Sequence, residues 1–328
     1  MSHFSPGEII GGTETLGSQF SRTMGLKYMS ARKIGATADS FFGLSAGMDA
    51  WLNKIPEIEL LVRNSTLGST LTKHNIDRDI VVCCENFRAE AASMKDSDAE
   101  FYEEKTKAFE FQKACLDNAG NMITISPNEK ELFKTDGYKS TVIEPHIDAN
   151  VFLPRDVSVA RKILGLPFDK QVVLYVGRVH KRKGFDIVVD VANEFPDVDF
   201  MFVTPPFETS ILKNDNYRVC EDLTTEMLAI YYNAANLLLA PSRYESFGYI
   251  FAEALASGIP VVSGKVGVMA DEILQRYGTI VDDINSKTVI KAVEKQLASE
   301  TVVDVDYVKT RFGEDRFVRD CDDIINNW

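Results

Sequence analysis

The second half of the sequence alternates short, β-branched apolar runs with amphipathic stretches. Strands that are apolar throughout and separated by helices indicate a parallel sheet covered on both faces. The predicted strands are QVVLYVG (171–177), DVDFMFV (197–203), NLLLAP (236–241) and IPVVSG (259–264). Because ligands of such sheets bind at the carboxyl ends of the strands, we expect a binding site where these four runs end.

The first half repeats this signal more weakly. Its candidate strands are IELLVRN (58–64), DIVVCCEN (79–86), NMITIS (121–126) and STVIEP (140–145), and residues 96–118 are predicted as one long surface helix. A chain of 328 residues, of which 45% are hydrophobic, can bury two cores. We therefore predict an α/β protein with two Rossmann-like, doubly wound parallel-sheet domains. Residues 1–150 form the first and residues 151–313 the second, because Pro154 follows the last strand of the first half.

Charge and residue usage argue against several classes of function. The 36 basic and 49 acidic residues give a net charge of −13, which disfavours binding to nucleic acid or to anionic lipid. No apolar run approaches the roughly 20 residues of a membrane-spanning helix, and the N-terminus lacks the pattern of a secretion signal. Five cysteines without a CxxC pair and four histidines without a shared spacing predict neither disulfides nor a metal site. We expect a soluble, cytoplasmic protein with no transmembrane segment.

A basic loop, GRVHKRKG (177–184), directly follows one predicted strand and precedes the helical pattern FDIVVDVANEF. The carboxyl end of a strand and the N-terminus of a helix both favour an anion. Arg178 suits bidentate contact with phosphate, and Lys183 adds a point charge. The loop is therefore predicted to bind phosphate, with a solvated basic turn as the alternative. Gly11 and Gly12 precede another amphipathic stretch and predict either a similar approach to a phosphate or a plain turn.

The stretch SRYESFGYIFAEAL (242–255) carries two glutamates, Glu245 and Glu253, among mostly apolar residues. A helix is predicted to start near Phe247 with Ser246 as its N-cap, so that its first amides face the same crevice as the basic loop. A carboxylate can accept hydrogen bonds from two neighbouring hydroxyls. Carboxylates beside a phosphate site therefore favour a sugar nucleotide, which carries both kinds of group. The alternative is that Glu253 pairs locally and Glu245 is solvated.

The spacing Glu245-x7-Glu253 within PSRYESFGYIFAEALASGIPVV, preceded by GRVHKRKG, resembles the retaining glycosyltransferases of family 4. KVGVMADEI (265–273) is similar to the glycine loop of that family, and ITISPNEKELF and VIEPHIDANVF are similar to its interdomain segment. The likeness is strong over roughly residues 121–285 and thin before them. It implies the GT-B fold, in which two Rossmann-like domains face a cleft and a C-terminal helix, here residues 314–328, returns to the first domain.

The resemblance also implies a role for each matching position. The matching donor-site positions are Gly12, Arg178, Lys183, Glu245, Phe247, Gly248, Tyr249 and Glu253, with Val219 and Leu223 in the segment that flanks the base. Arg178 and Lys183 would bind the donor diphosphate, and the amides of residues 247–249 would line the sugar–phosphate site. Glu253 would bind the ribose hydroxyls and Glu245 the transferred sugar. Glu245, Arg178 and Lys183 are thus the expected catalytic residues.

The sequence departs from the family pattern at several places. No strand-like run precedes Gly11, so we expect the first strand to be missing and the N-terminal domain to be shortened. Cys84, followed by Glu85, stands where many relatives carry a histidine, and both are candidate acceptor-side residues. His146 and Val268 replace two glycines of the family.

The resemblance implies a retaining hexosyltransferase that moves a sugar from a UDP- or GDP-sugar to a glycan, lipid-linked or small-molecule acceptor held by the first domain. No cofactor or divalent cation is required, because Arg178 and Lys183 can stabilise the leaving diphosphate. A non-catalytic sugar-nucleotide-binding protein and another GT-B enzyme, such as a nucleotide-sugar epimerase, remain alternatives. A glycoside hydrolase is a further one. On one continuous helix, however, Glu245 and Glu253 would stand about 12 Å apart, beyond the roughly 5 to 9.5 Å that hydrolases use.

Overall fold

The computed structural model describes residues 19–20, 22–23, 60–64 and 78–327. The chain divides into two compact units. The first contains the described residues up to His146 together with those from Asp315 onward, and the second is Ile147–Glu314. The division falls after His146 and Glu314, where the sequence placed it after residues 150 and 313.

The first unit contains a sheet of four parallel strands in the order β1-β2-β3-β4. The strands are β1 (Leu60–Asn64), β2 (Arg78–Cys83), β3 (Asn121–Thr124) and β4 (Thr141–Val142). Its helices include α1 (Phe87–Ala92), α2 (Ala99–Leu116) and α3 (Pro127–Thr135). Helix α2 is the predicted surface helix, and it begins where the Asp98 side chain accepts a hydrogen bond from the amide of Phe101.

The second unit is built on a sheet of six parallel strands in the order β10-β9-β8-β5-β6-β7. The strands are β5 (Val172–Val176), β6 (Asp199–Val203), β7 (Tyr217–Cys220), β8 (Leu237–Ala240), β9 (Val261–Gly264) and β10 (Gly278–Val281). The helices are α4 (Val157–Leu164), α5 (Phe185–Glu194), α6 (Thr225–Ala234), α7 (Tyr249–Ala256), α8 (Ser286–Leu297) and α9 (Val305–Phe312).

The central strands of this sheet lie in the core of the second unit. Every residue of β8 and β9 is buried, as are the first four residues of β5. Because both faces of these strands are covered, their sequences are almost continuously apolar, which is the pattern that predicted them. The expected α/β class with parallel sheets is confirmed in both units.

The last helix of the chain, α10 (Glu314–Asn327), packs its described residues on the first unit. The ring of Phe317 meets those of Phe20 and His146 at centroid distances of 5.2 Å each. Arg316 Nη2 donates to the carbonyl of Glu144 at 2.6 Å. Within the described residues, no helix is both long and apolar enough to cross a membrane.

Candidate functional site

The order of the strands in the second unit marks one place for a ligand. From β5 the chain proceeds outward through β6 and β7, then returns to β8 on the other side of β5 and continues to β9 and β10. Direction therefore reverses between β5 and β8, and open parallel sheets bind ligands at the carboxyl ends of the strands that flank such a reversal. The loops at those ends are the basic loop, residues 177–184, and the turn at residues 241–248 that carries Glu245.

Several contacts join the basic loop to this turn. The amide of Arg243 donates to the carbonyl of Arg182 at 2.8 Å, and Arg182 Nη1 donates to the carbonyl of Tyr244 at 3.1 Å. Gly184 has φ +70, and a Cβ there would lie 2.2 Å from the carbonyl oxygen of Pro241, so the close approach requires glycine. The two loops thus form one frame around Glu245.

Glu245 is buried, with 6% of its surface exposed, and its partners converge on one oxygen. Lys183 Nζ lies 2.6 Å from Glu245 Oε1, and Ser242 Oγ donates to the same oxygen at 2.8 Å. Oε2 has no hydrogen-bond partner within the described residues. Burial alone would raise the pKa of Glu245, but the charges of Lys183 and Arg182 and the two hydrogen bonds outweigh it, so the pKa lies below its ordinary value. Glu245 is therefore an ionised carboxylate with one unoccupied oxygen.

Arg178 differs from Lys183 in being exposed. Its guanidinium forms no ion pair or hydrogen bond within the described part of the chain. Its carbonyl accepts a hydrogen bond from Tyr175 Oη at 2.7 Å, which holds the backbone at the end of β5. Arg178 thus presents an unpaired cation beside a second cation, Lys183, that is already neutralised by Glu245.

The start of α7 corrects one sequence prediction. The helix begins at Tyr249, not near Phe247, and its N-cap is Gly248, with no side-chain capping bond, so Ser246 is not the N-cap. Gly248 has φ 83, and a Cβ there would lie 2.5 Å from the ring of Phe251. A left-handed turn against an aromatic ring requires glycine, and this displaces the helix start. The amides of Phe247 and Gly248 donate to no group among the described residues.

A third loop, which follows β9, packs against the same turn. The amide of Val268 donates to the carbonyl of Phe247 at 2.8 Å. A Cβ on Gly267 would lie 2.2 Å from that carbonyl oxygen and 3.2 Å from Glu245 Cβ. The predicted glycine loop is thus in close contact with the turn that carries Glu245, although Val268 replaces its second glycine.

Glu253 lies within α7, and no cation contacts it in the described residues. Tyr232 Oη, on α6, donates to Glu253 Oε2 at 2.9 Å, and Oε1 has no partner among the described residues. Burial raises the pKa of Glu253 to about 7, and the bond from Tyr232 only partly opposes this. Its charge state therefore changes near neutral pH.

The other predicted positions are more dispersed. Val219 lies in the edge strand β7, and Leu223 follows it in the loop before α6. In the first unit, Cys84 is buried directly after β2, and the carbonyl of Glu85 accepts a hydrogen bond from Gln112 at 2.8 Å. Gly12 and the missing first strand concern residues outside the described part of the chain.

The described structure offers no metal site, and one histidine takes part in the basic loop. Within the described residues, no cluster of His, Cys, Asp and Glu side chains could hold a metal ion. His180 Nδ1 accepts a hydrogen bond from the amide of Arg182 at 3.0 Å, so this ring nitrogen holds the basic loop in its turn.

Three residues of the site were not predicted from the sequence: Arg182, Tyr232 and Ser242. Arg182 is 9% exposed, although it lies in a basic run that suggests a solvated loop. Ser242 is three residues before Glu245, a spacing at which a hydroxyl can reach a carboxylate. The adjacent Tyr231 and Tyr232 within α6 were the available signal for Tyr232, because a buried phenol usually has a partner.

The second unit of the chain matches a known sequence family. Residues 156–309 match the family described as "Glycosyl transferases group 1". A curated relative, the D-inositol 3-phosphate glycosyltransferase of Mycolicibacterium paratuberculosis (strain ATCC BAA-968 / K-10), is 32% identical over 173 residues, which are 48% of this chain and 39% of the relative. The chain thus spans about 40% of the length of the curated relatives that it matches. The second unit carries the group 1 glycosyltransferase pattern.

Solved structures resemble the chain over a greater length. WaaG, a glycosyltransferase involved in lipopolysaccharide biosynthesis, superposes on 100% of this chain and 98% of its own, with a TM-score of 0.73 and 15% identity. Anabaena HepE in complex with UDP-glucose superposes on 77% of this chain and 79% of its own, with a TM-score of 0.59 and 17% identity. At such identities the likeness establishes the fold, and the predicted GT-B fold is confirmed.

Proposed function

We propose that this chain is a nucleotide-sugar-dependent glycosyltransferase. The observation that carries the proposal is Glu245, a buried and ionised carboxylate that pairs with Lys183 where the strand order reverses. The unpaired guanidinium of Arg178 and the amides of Phe247 and Gly248 supply donors for phosphate oxygens beside it. A ligand that carries both a diphosphate and hydroxyls satisfies these groups together.

The donor is a UDP- or GDP-sugar, and its parts are assigned to different residues. Arg178 and Lys183 bind the diphosphate, Glu253 the ribose and Glu245 the transferred sugar, while Val219 and Leu223 flank the base. The amides of residues 247–249 line the sugar–phosphate site. HepE, which shares the fold, is seen with UDP-glucose, and this favours a donor of the same class.

The reaction depends on electrostatic stabilisation more than on covalent chemistry. Cleavage of the bond between the sugar and the diphosphate builds negative charge on the leaving group, and cations and amides already in place stabilise that charge. The resemblance to family 4 supports a hexosyl group and retention of its anomeric configuration. The first unit holds the acceptor, with Cys84 and Glu85 as acceptor-side candidates, and the acceptor is a glycan, a lipid-linked sugar or a small molecule.

The test is a panel of sugar nucleotides followed by an assay of turnover. UDP-glucose, UDP-galactose, UDP-N-acetylglucosamine and GDP-mannose are each added in a thermal-shift assay, since a ligand of the native state raises the unfolding temperature by mass action. Release of UDP or GDP is then measured with water or candidate sugars as acceptor. We expect a shift with at least one donor, and nucleoside diphosphate release that Glu245→Gln slows about 10²- to 10³-fold.

A matched control tests whether replacing any glutamate would give the same result. Glu194→Gln alters an exposed glutamate at the end of α5 and should leave both readouts unchanged. Binding without any release of nucleoside diphosphate would favour the non-catalytic alternative. Conversion of the donor to its epimer when no acceptor is present would favour the epimerase, whether or not nucleoside diphosphate is released. Absence of binding by every donor would contradict the proposal.

A further inference from the structure

We propose that Ser242 and Tyr232 are positioning residues, each of which holds one oxygen of an active-site glutamate so that the other oxygen is left for a hydroxyl of the sugar nucleotide. The inference rests on the proposed function and assigns two side chains that act through Glu245 and Glu253. Both pairs have the same geometry: a buried hydroxyl donates to one carboxylate oxygen, and the second oxygen has no partner within the described residues.

Ser242 orients Glu245. Its side chain is 1% exposed, and its only O–H is committed to Glu245 Oε1 at 2.8 Å. Lys183 donates to the same oxygen, so among the described residues Oε1 has two donors and Oε2 has none. Without Ser242, Lys183 would still neutralise the charge but, as a flexible ammonium, would not fix the rotation of the carboxylate. Ser242 therefore determines which oxygen the transferred sugar meets.

Tyr232 orients Glu253 in a different setting. Tyr232 is completely buried, and its ring lies edge-on to Phe152 at a centroid distance of 5.9 Å, so the phenol has little freedom to move. Its hydroxyl reaches Glu253 Oε2 at 2.9 Å across the contact between α6 and α7. Because no cation takes part, this hydrogen bond is the one interaction that opposes the effect of burial on the pKa of Glu253.

Among the titratable and charged groups on the elements packed against α7, Tyr232 is the one that affects the pKa of Glu253. The elements packed against α7 are α6, α9, β9 and the turn at residues 267–270. Their titratable and charged side chains are Glu226, Tyr231 and Tyr232 on α6, and Asp306, Tyr307, Lys309 and Arg311 on α9. Of these, only Tyr232 contributes to the shifted pKa of Glu253. Removing its hydroxyl should therefore raise that pKa further above 7.

The two hydroxyls should have separable effects. Tyr232→Phe should weaken binding of UDP or GDP roughly tenfold, the loss typical of a hydrogen bond to a charged group, and should move the pH midpoint of binding upward. The terminal phosphate of the ligand titrates near pH 6, but it does so identically for every variant, so the difference between proteins isolates Glu253. Ser242→Ala should lower turnover roughly tenfold at saturating donor while UDP or GDP affinity stays within about twofold.

Two control variants match these changes. Tyr231→Phe removes a buried phenol from the same helix, one that contacts Cys220 Sγ at 2.7 Å and not a glutamate. Ser257→Ala removes a buried hydroxyl that has no hydrogen-bond partner in the described structure. Thermal unfolding of all four variants shows which remain folded, and binding is compared only at temperatures where they are.

The experiment is a calorimetric titration with UDP and GDP from pH 5.5 to 8.5, paired with turnover of the donor that wild type cleaves. The inference is supported if the pH midpoint of nucleotide binding rises in Tyr232→Phe but not in Tyr231→Phe. It also requires that turnover falls, with affinity unchanged, in Ser242→Ala but not in Ser257→Ala. If Tyr232→Phe kept the wild-type midpoint, or if each variant behaved like its control, the inference would be overturned while the proposed function stood. If wild type bound neither nucleotide, the proposed function would fail first and the inference with it.

Discussion

Glu245 and Glu253 lie on either side of the start of one helix, and their surroundings set their charge in opposite ways. Glu245 precedes α7 and meets Lys183, Arg182 and Ser242, so that its pKa is lowered although burial acts to raise it. Glu253 lies inside α7 and, among the described residues, has a hydrogen bond from Tyr232 and no cation in contact, so that burial prevails and its pKa rises to about 7. Burial alone therefore does not determine the charge of a carboxylate here; the number of cations that share the site does.

This difference has a functional consequence. In the proposed function, Glu245, which stays ionised beside Lys183, serves the transferred sugar, where charge changes during transfer. Glu253, which has no cation in contact among the described residues, serves the hydroxyls of the ribose, which are the same in donor and product. The comparison predicts effects on turnover, on nucleotide binding and on stability.

The largest effect is expected from Glu245→Gln. The substitution keeps the shape of the side chain but removes the charge, and we expect turnover at saturating donor to fall about 10²- to 10³-fold, as for the loss of one preorganised electrostatic group. The assay is the rate of UDP or GDP release, with Glu194→Gln as the control. Turnover at the wild-type rate would show that the two glutamates do not differ in the way proposed.

The basic loop is expected to give the next effect. Arg178→Ala combined with Lys183→Ala should weaken binding of UDP or GDP about 100-fold, because two charge-assisted contacts with phosphate are lost. Binding of uridine or guanosine should change little, since neither carries a phosphate. Calorimetry with both ligands tests this, and equal losses for nucleoside and diphosphate would mean that the loop does not bind phosphate.

Glu253→Gln should have a smaller effect, of a different kind. We expect donor and nucleoside diphosphate to lose affinity by a similar factor, about tenfold, while turnover at saturating donor is retained. Steady-state kinetics would show a raised KM with an unchanged kcat. A fall in kcat comparable to that of Glu245→Gln would contradict the separate assignments.

The smallest effect concerns stability and its dependence on pH. Because the pKa of Glu253 is raised to about 7 from 4.5, the folded state retains a proton that the unfolded chain has released, and stability from this group declines as pH rises from about 4.5 to 7. Glu253→Gln should therefore raise the free energy of unfolding at pH 8 by about 1 to 2 kcal/mol. Denaturant unfolding at pH 5 and pH 8 measures this.

Glu245 should show the opposite sign in the same experiment. Its pKa is lowered, so the stability that it contributes is present above the ordinary pKa and is lost as pH falls through the lowered value. Glu245→Gln should reduce the free energy of unfolding at pH 8, because Lys183 then lacks its partner. A gain in stability for Glu245→Gln, or a loss for Glu253→Gln, would remove the electrostatic contrast between them.

The strands could be predicted from the sequence where they are buried on both faces, because such strands are apolar at almost every position. Strands β5, β8 and β9 are covered on both faces and are nearly continuous apolar runs, so they were found with their approximate bounds. Strands β7 and β10 lie at the two edges of the sheet and were missed. All residues of β7 and all but the last of β10 are only partly buried or exposed, so they lack the apolar pattern.

The site could be predicted in part for a similar reason. The carboxyl ends of parallel strands meet at one edge of a sheet, and this places Lys183 beside Glu245. The local backbone geometry could not be predicted from the sequence: Gly248 is left-handed, and the helix therefore starts after it and not at Ser246. The contact between Tyr232 and Glu253 could not be predicted either, because the two residues are 21 positions apart and are joined by the packing of α6 on α7.

The most direct test of the account is calorimetric titration of Glu245→Gln, Glu253→Gln and Glu194→Gln with UDP and GDP at pH 8, where Glu253 is mostly ionised in the wild type. The account predicts that Glu245→Gln and Glu194→Gln bind the preferred diphosphate within about twofold of wild type, whereas Glu253→Gln binds it about tenfold more weakly. If Glu245→Gln lost as much affinity as Glu253→Gln, the two carboxylates would serve the same part of the ligand, and the central claim would be contradicted.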